Sequence, residues 1–120
     1  MPRDFRKIKA WQFADDLAVA IYKETKSFPK EELYGITSQI KRAAVFVPTN
    51  IVEGAARNHK KEYLQFLCIS KGSLAETEYL LHLSKRLGFV NDSNYLKIED
   101  LIKETAKTLT GLIKSVESEV

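Results

Sequence analysis

The apolar positions of this chain recur at intervals of three and four, the period of a helix with one face turned inward. Trp11, Ala14, Leu17, Ala18, Ile21, Tyr22 and Thr25 mark a first helix, which Pro29 ends. Pro29 to Gly35 reads as a turn, and Ile36, Ile40, Ala43, Val47 and Ile51 then mark a second helix. Pro48 lies inside it and removes the backbone bond to the carbonyl of Ala44, which predicts a kink in place of an end. A third helix is expected from Asn58 or His59 to Leu87, stopped by Gly88, with Glu62 in the first turn where the helix dipole favours an anion. Its inward line is Tyr63, Phe66, Leu67, Ser70, Leu74, Thr77, Leu81 and Ser84. Asn91, Asp92 and Ser93 offer capping oxygens to a fourth helix carried by Tyr95, Ile98, Ile102, Thr105, Leu109, Leu112 and Val116.

No stretch alternates apolar and polar as a half-buried strand does, and no repeat or low-complexity tract intervenes. The expected fold is all-α: one domain over residues 1–120, an up-down-up-down antiparallel four-helix bundle whose second helix is kinked at Pro48. A chain of 120 residues, 44% of them hydrophobic, closes a core without a disulfide, and its lone Cys68 has no internal partner. No apolar run reaches the ~18 residues a membrane span needs. Met1-Pro2-Arg3-Asp4 lacks the apolar centre of a secretory signal. The expectation is a soluble, cytoplasmic protein without a membrane partner, so the glycosylation pattern Asn91-Asp92-Ser93 carries no meaning.

Catalysis and metal binding need convergent groups, and few are present. His59 and His82 are the only histidines, with no H-E-x-x-H and no paired E-x-x-H. Gly72-Ser73 stands alone where a phosphate loop would need more glycine, and there is no G-x-S-x-G elbow. No catalytic residue, metal, cofactor or small-molecule substrate is expected.

Nineteen Lys and Arg against sixteen Asp and Glu leave a net charge of +3. The excess is placed early: residues 1–30 carry seven basic and four acidic side chains, residues 91–120 four and six. An antiparallel bundle brings the start of the first helix, the end of the second and the start of the third to one end. That gathers Arg3, Arg6, Lys7 and Lys9 with Arg57, His59, Lys60 and Lys61, a cluster suited to phosphates. The opposite end mixes Lys30, Glu31, Glu32, Lys85, Arg86 and Asp92 and reads as neutral.

Beside the inward line of the second helix runs a polar one of Gln39, Arg42, Asn50, Glu53 and Arg57. Arg42 falls opposite Glu76 of the third helix, which predicts an interhelical ion pair, and Glu53 is one turn from Arg57. The structural polar network expected is therefore Gln39, Arg42, Asn50, Glu53 and Glu76. Apolar residues also fall outside the inward lines: Ile69, Tyr79, Leu80, Leu83 and Leu87 on the third helix, Val45, Phe46 and Val52 on the second, and Phe13 on the first. One small bundle does not cover them all, so Phe46, Val52, Ile69, Tyr79, Leu80, Leu83 and Leu87 are expected at an interface between copies.

Several runs together are familiar: Phe5 to Gln12, Phe28 to Gly35, Thr37 to Ala44, Val47 to Gly54, and Gly72 to Glu76. In this order they resemble the four-helix-bundle proteins encoded in intervening sequences of bacterial 23S ribosomal RNA genes. The resemblance implies a bacterial cytoplasmic protein, an antiparallel bundle assembled as a ring-like homopentamer, and no established enzymatic activity. The family is in turn similar to the accessory proteins of diversity-generating retroelements, pentameric bundles that associate with a reverse transcriptase and with nucleic acid. That likeness implies nucleic-acid contacts at Lys41, Arg42, Arg57, Lys60 and Lys61. With Arg3, Arg6 and Lys7 these form the expected surface of a non-enzymatic oligomer that binds RNA or DNA electrostatically. The alternative is a protein-interaction scaffold or accessory subunit, for example of a polymerase, with no direct nucleic-acid role.

Overall fold

The computed structural model describes residues 3–120. They form α1 (Lys9–Thr25), α2 (Ile36–Ala55), α3 (Lys60–Arg86) and α4 (Asp92–Glu117), with 3-10 turns at Phe5–Lys7 and Lys30–Glu32. No strand occurs among the described residues. Each boundary has a local cause. The Asn91 side chain accepts from the backbone N–H of Asn94 at 2.8 Å and starts α4. At the end of α3, Gly88 takes φ +81°, which a side chain would resist. Its N–H bonds the Lys85 carbonyl while that of Phe89 bonds Ser84, the paired closure typical of a glycine-terminated helix. The N–H of Ile36 reaches Glu32 Oε1 at 3.4 Å, setting a carboxylate against the positive end of α2.

The second helix runs through Pro48 to Ala55. In the turn that Pro48 weakens, Thr49 Oγ1 donates to the Val45 carbonyl and Asn50 Nδ2 to the Phe46 carbonyl, each at 2.7 Å. Side-chain donors thus reinforce the segment where the imide nitrogen has no hydrogen to give.

The helices form a square. α1 packs on α2 and α4, α3 packs on the same two, and neither diagonal pair touches among the described residues. At one end the Arg3 N–H bonds the Ala55 carbonyl at 2.9 Å, and Lys60 Nζ donates to the carbonyls of Glu117 and Glu119 at 3.0 and 2.7 Å. The other end is closed by Phe28 against Phe89, ring centroids 5.5 Å apart. With these ends fixed, successive helices alternate in direction. The bundle measures 48 × 25 × 20 Å, a length set by α3, whose 27 residues rise about 40 Å.

The core is built from Leu17, Ile21, Ile40, Val47, Ile51, Tyr63, Leu67, Leu81, Leu109 and Val116. The most extensive packing is between α2 and α3, where Ala43, Ala44, Gly54, Ser70 and Ser73 are all buried and small. Ser70 Oγ crosses that seam to the Val47 carbonyl at 2.8 Å, so a hydroxyl at 0% exposure is satisfied.

Some expectations change. Leu80, expected at an interface, is only 6% exposed, because the close approach of α2 carries the core past the inward line of α3 and over Leu80. Leu83 is half-buried against the same core, and Val52, Val45 and Phe13 are half-buried too. Conversely Tyr22, read as inward, lies exposed at the rim of α1. The third helix begins at Lys60, with His59 as its cap residue.

Candidate nucleic-acid interface

At the end where the sequence collects cations, the fold employs three of them internally. Arg3 pairs with Glu119 and sets its guanidinium over the Tyr63 ring at 4.5 Å. Lys60 neutralises the negative end of α4 through its carbonyls. Arg6 stands 3.9 Å from Asp4 and over the Phe5 ring at 4.6 Å. The expected cluster omitted that the fourth helix also finishes here and brings Glu117 and Glu119 with it. The signal was available, since four alternating helices must return the last one to the first end. Lys7, Lys9, Arg57, His59 and Lys61 remain exposed there without a carboxylate partner.

Beneath Arg3, Tyr63 is fully buried, and its hydroxyl has no hydrogen-bond partner. Burial pushes its pKa above the usual tyrosine value of 10.0; Arg3 opposes that rise and Glu119 adds to it.

The outer side of α2 gives a clearer arrangement. Lys41 lies over Tyr22 at 4.5 Å, Arg42 over Phe46 at 5.3 Å and Arg57 over Phe66 at 4.6 Å. None of the three forms an ion pair. A ring face attracts a cation without cancelling its charge, so these side chains are oriented yet free to meet an anion. Arg42 lies on α2, and Arg57 follows just after its last residue, Ala55, in the link to α3.

The expected ion pairs of this seam are not formed. Gln39, Arg42 and Glu76 do meet, around a hollow of about 430 Å³ that Ala43 and Phe46 complete, but Arg42 leans on Phe46 and makes no bridge to Glu76. Arg57 likewise lies on Phe66 and does not reach Glu53, and Asn50 spends its amide on the Phe46 carbonyl. Exposed ion pairs gain only ~0–1 kcal/mol, so a nearby ring competes with them. Along the same side Phe46, Ile69, Tyr79 and Leu87 are 41, 52, 59 and 53% exposed. Cys68 is exposed and, with Lys61, Leu64, Gln65 and Ile69, lines a shallow hollow on α3. No group of three or more metal-ligating side chains is found among the described residues. No helix of the described chain is long and apolar enough to cross a membrane.

Residues 6–111 match the family model described as 23S rRNA-intervening sequence protein. This chain belongs to that family. The matched span holds all of α1, α2 and α3, and with them the whole α2–α3 seam. In three dimensions the chain is similar to a crystal structure from Bacteroides thetaiotaomicron VPI-5482, described as a protein of unknown function from the S23 ribosomal protein family. The TM-score is 0.81 at 25% identity, covering 88% of this chain and 95% of that one. Among curated proteins none matches. Neither the family nor the neighbour is associated with an enzymatic activity.

Proposed function

We propose that this 23S rRNA-intervening sequence protein is a non-enzymatic, cytoplasmic bundle that assembles into a ring, a homopentamer by likeness to its relatives, and binds RNA or DNA through phosphates without reading bases. The observation that supports this best is the set of three ring-supported cations, Lys41 and Arg42 on α2 and Arg57 just past its end, none cancelled by a carboxylate among the described residues. Lys7 and Lys61 extend the positive surface at the end where Arg57 lies. The exposed Phe46, Ile69, Tyr79 and Leu87 supply the apolar area for self-association. A ring multiplies a weak patch: single contacts at the ~10⁻⁴ M level gain ~10²-fold or more when several copies engage one strand. Fluorescence anisotropy with labelled RNA over a salt series tests the reading. Binding at low salt that weakens steadily as salt rises supports it, and no binding at low salt refutes it.

The scaffold reading draws on the same exposed apolar side chains, which would dock a different protein. Capture of partners from native lysate, with and without nuclease, separates the two. Partners that survive nuclease favour the scaffold, and partners lost with the nucleic acid favour the first reading.

A further inference from the structure

A separate hollow lies at the corner where α1 ends and α2 begins. It encloses about 470 Å³, within the range of small-ligand sites, and its walls are Tyr22, Phe28, Pro29 and Leu33. A second hollow of about 360 Å³ adjoins it, sharing Tyr22, Leu33, Thr37 and Lys41. Four cations line the pair, Lys26, Lys30 and Lys41 in the first or both and Arg42 in the second, and no carboxylate lines either. This end reads as neutral in sequence because Glu31, Glu32 and Asp92 fall among its cations. In the fold none of them lines the hollows: the Glu32 carboxylate is held beside them by the backbone N–H of Ile36, and Asp92 stands 3.5 Å from Lys85, so the lining itself carries only cations.

Two further observations point to an occupant. Thr37 lines both hollows at 6% exposure, and its buried hydroxyl has no hydrogen-bond partner. A buried hydroxyl is ordinarily paired, so this one leaves an unanswered polar group in the wall beneath the hollows. Leu33 and Tyr34, on the turn beside the hollows, are 51 and 92% exposed, apolar surface held in water at the mouth of a pocket.

We propose that this corner binds a small organic anion: an apolar body of one or two rings seated among Tyr22, Phe28 and Leu33, carrying a carboxylate, sulfonate or phosphate directed at Lys41 with Lys26 or Lys30. The apolar walls favour the body and exclude water. The cations stand at the open rim, Lys41 half-buried and Lys26 and Lys30 exposed, so their pull on the anion weakens as salt rises. The site needs neither a ring of subunits nor nucleic acid, so it stands or falls apart from the function proposed above.

The test is a titration of ¹⁵N-labelled full-length protein with 2-naphthoate, followed by amide chemical shifts, against its neutral isostere 2-naphthamide. Saturable shifts centred on Tyr22, Leu33, Thr37 and Lys41 are expected, with the amide weaker by roughly tenfold, the loss of one charge-assisted contact. Lys41→Gln should weaken naphthoate by a similar factor, and Lys107→Gln on α4 should leave it unchanged. Equal binding of acid and amide, shifts centred on Cys68 and Ile69, or no saturation would each overturn the proposal.

Discussion

Gly54 is the position where α2 comes nearest to α3, and adding one methyl group there measures how tight the seam is. A Cβ at Gly54 would stand 2.8 Å from Tyr63 Cδ1 and 2.9 Å from Phe66 Cβ, against an ordinary contact of 3.4 Å or more. Tyr63 is fully buried and the Phe66 atom is next to the backbone, so neither yields as the tip of a flexible chain would. Relief requires the helices to part by several tenths of an ångström, an overpacking cost of ~2–3 kcal/mol. Alanine is worth ~1 kcal/mol more than glycine inside a helix, which leaves Gly54→Ala destabilised by ~1–2 kcal/mol. Gly72→Ala and Gly111→Ala are the controls: both glycines are exposed within helices and a Cβ meets nothing within 4 Å, so each should gain ~0.5–1 kcal/mol. Chemical denaturation followed by circular dichroism, at one protein concentration so that assembly does not shift the result, reads all three. Opposite signs are expected. A Gly54→Ala variant as stable as the Gly72→Ala one would refute the close seam, and with it the placement of Arg57 on Phe66.

Other consequences follow from single contacts. Ser70→Ala removes the hydroxyl that bridges to the Val47 carbonyl and should cost ~1 kcal/mol in the same assay, with no loss meaning that the bridge is idle. Because burial raises the Tyr63 pKa, the folded state holds that proton more tightly than the unfolded one. Its contribution is complete below pH 10.0 and is lost as pH climbs through the folded value, so alkaline unfolding should ease in Tyr63→Phe. Matching alkaline titrations for wild type and Tyr63→Phe would contradict this. Glu76 is exposed and unpaired in the single chain, so Glu76→Ala should leave monomer stability unchanged while lowering the assembled mass in sedimentation velocity. The link to assembly is the hollow that Glu76 shares with Phe46, one of the exposed side chains proposed for self-association, and an unchanged mass would exclude that hollow from it.

Much of the fold is visible in sequence because its causes are local. The period of Leu17, Ile21, Ile40, Val47 and Leu67 sets the inward faces, Gly88 ends α3, and Asn91 starts α4. What escapes is what depends on how closely two helices meet. Leu80 reads as surplus by its angle on the helix, yet the packed bundle takes it into the core. The site divides in the same way. Counting charges finds the cations at one end, but not that Arg3 and Lys60 are taken up by the tail of α4, 116 and 59 residues away in sequence. The lysine-lined corner beside Thr37 is hidden for another reason: Glu31 and Glu32 balance its charge in sequence, and only the fold shows that neither lines the hollows. Arg42 and Glu76 fall opposite one another as the register predicts, but register says nothing of the Phe46 ring that holds Arg42 instead.

The central claim, that cations left unpaired on α2 and just past its end meet a phosphate backbone, is tested most directly by the salt slope of RNA binding for wild type beside the double variant Arg42→Gln/Arg57→Gln. Each phosphate contact on a single strand contributes about 0.7 to the slope of log K against log salt. The account predicts tight binding at low salt, a linear decline, and a slope shallower by ~1.4 in the double variant, with Lys103→Gln/Lys107→Gln on α4 matching wild type. Equal slopes for the wild type and the Arg42→Gln/Arg57→Gln variant would contradict it.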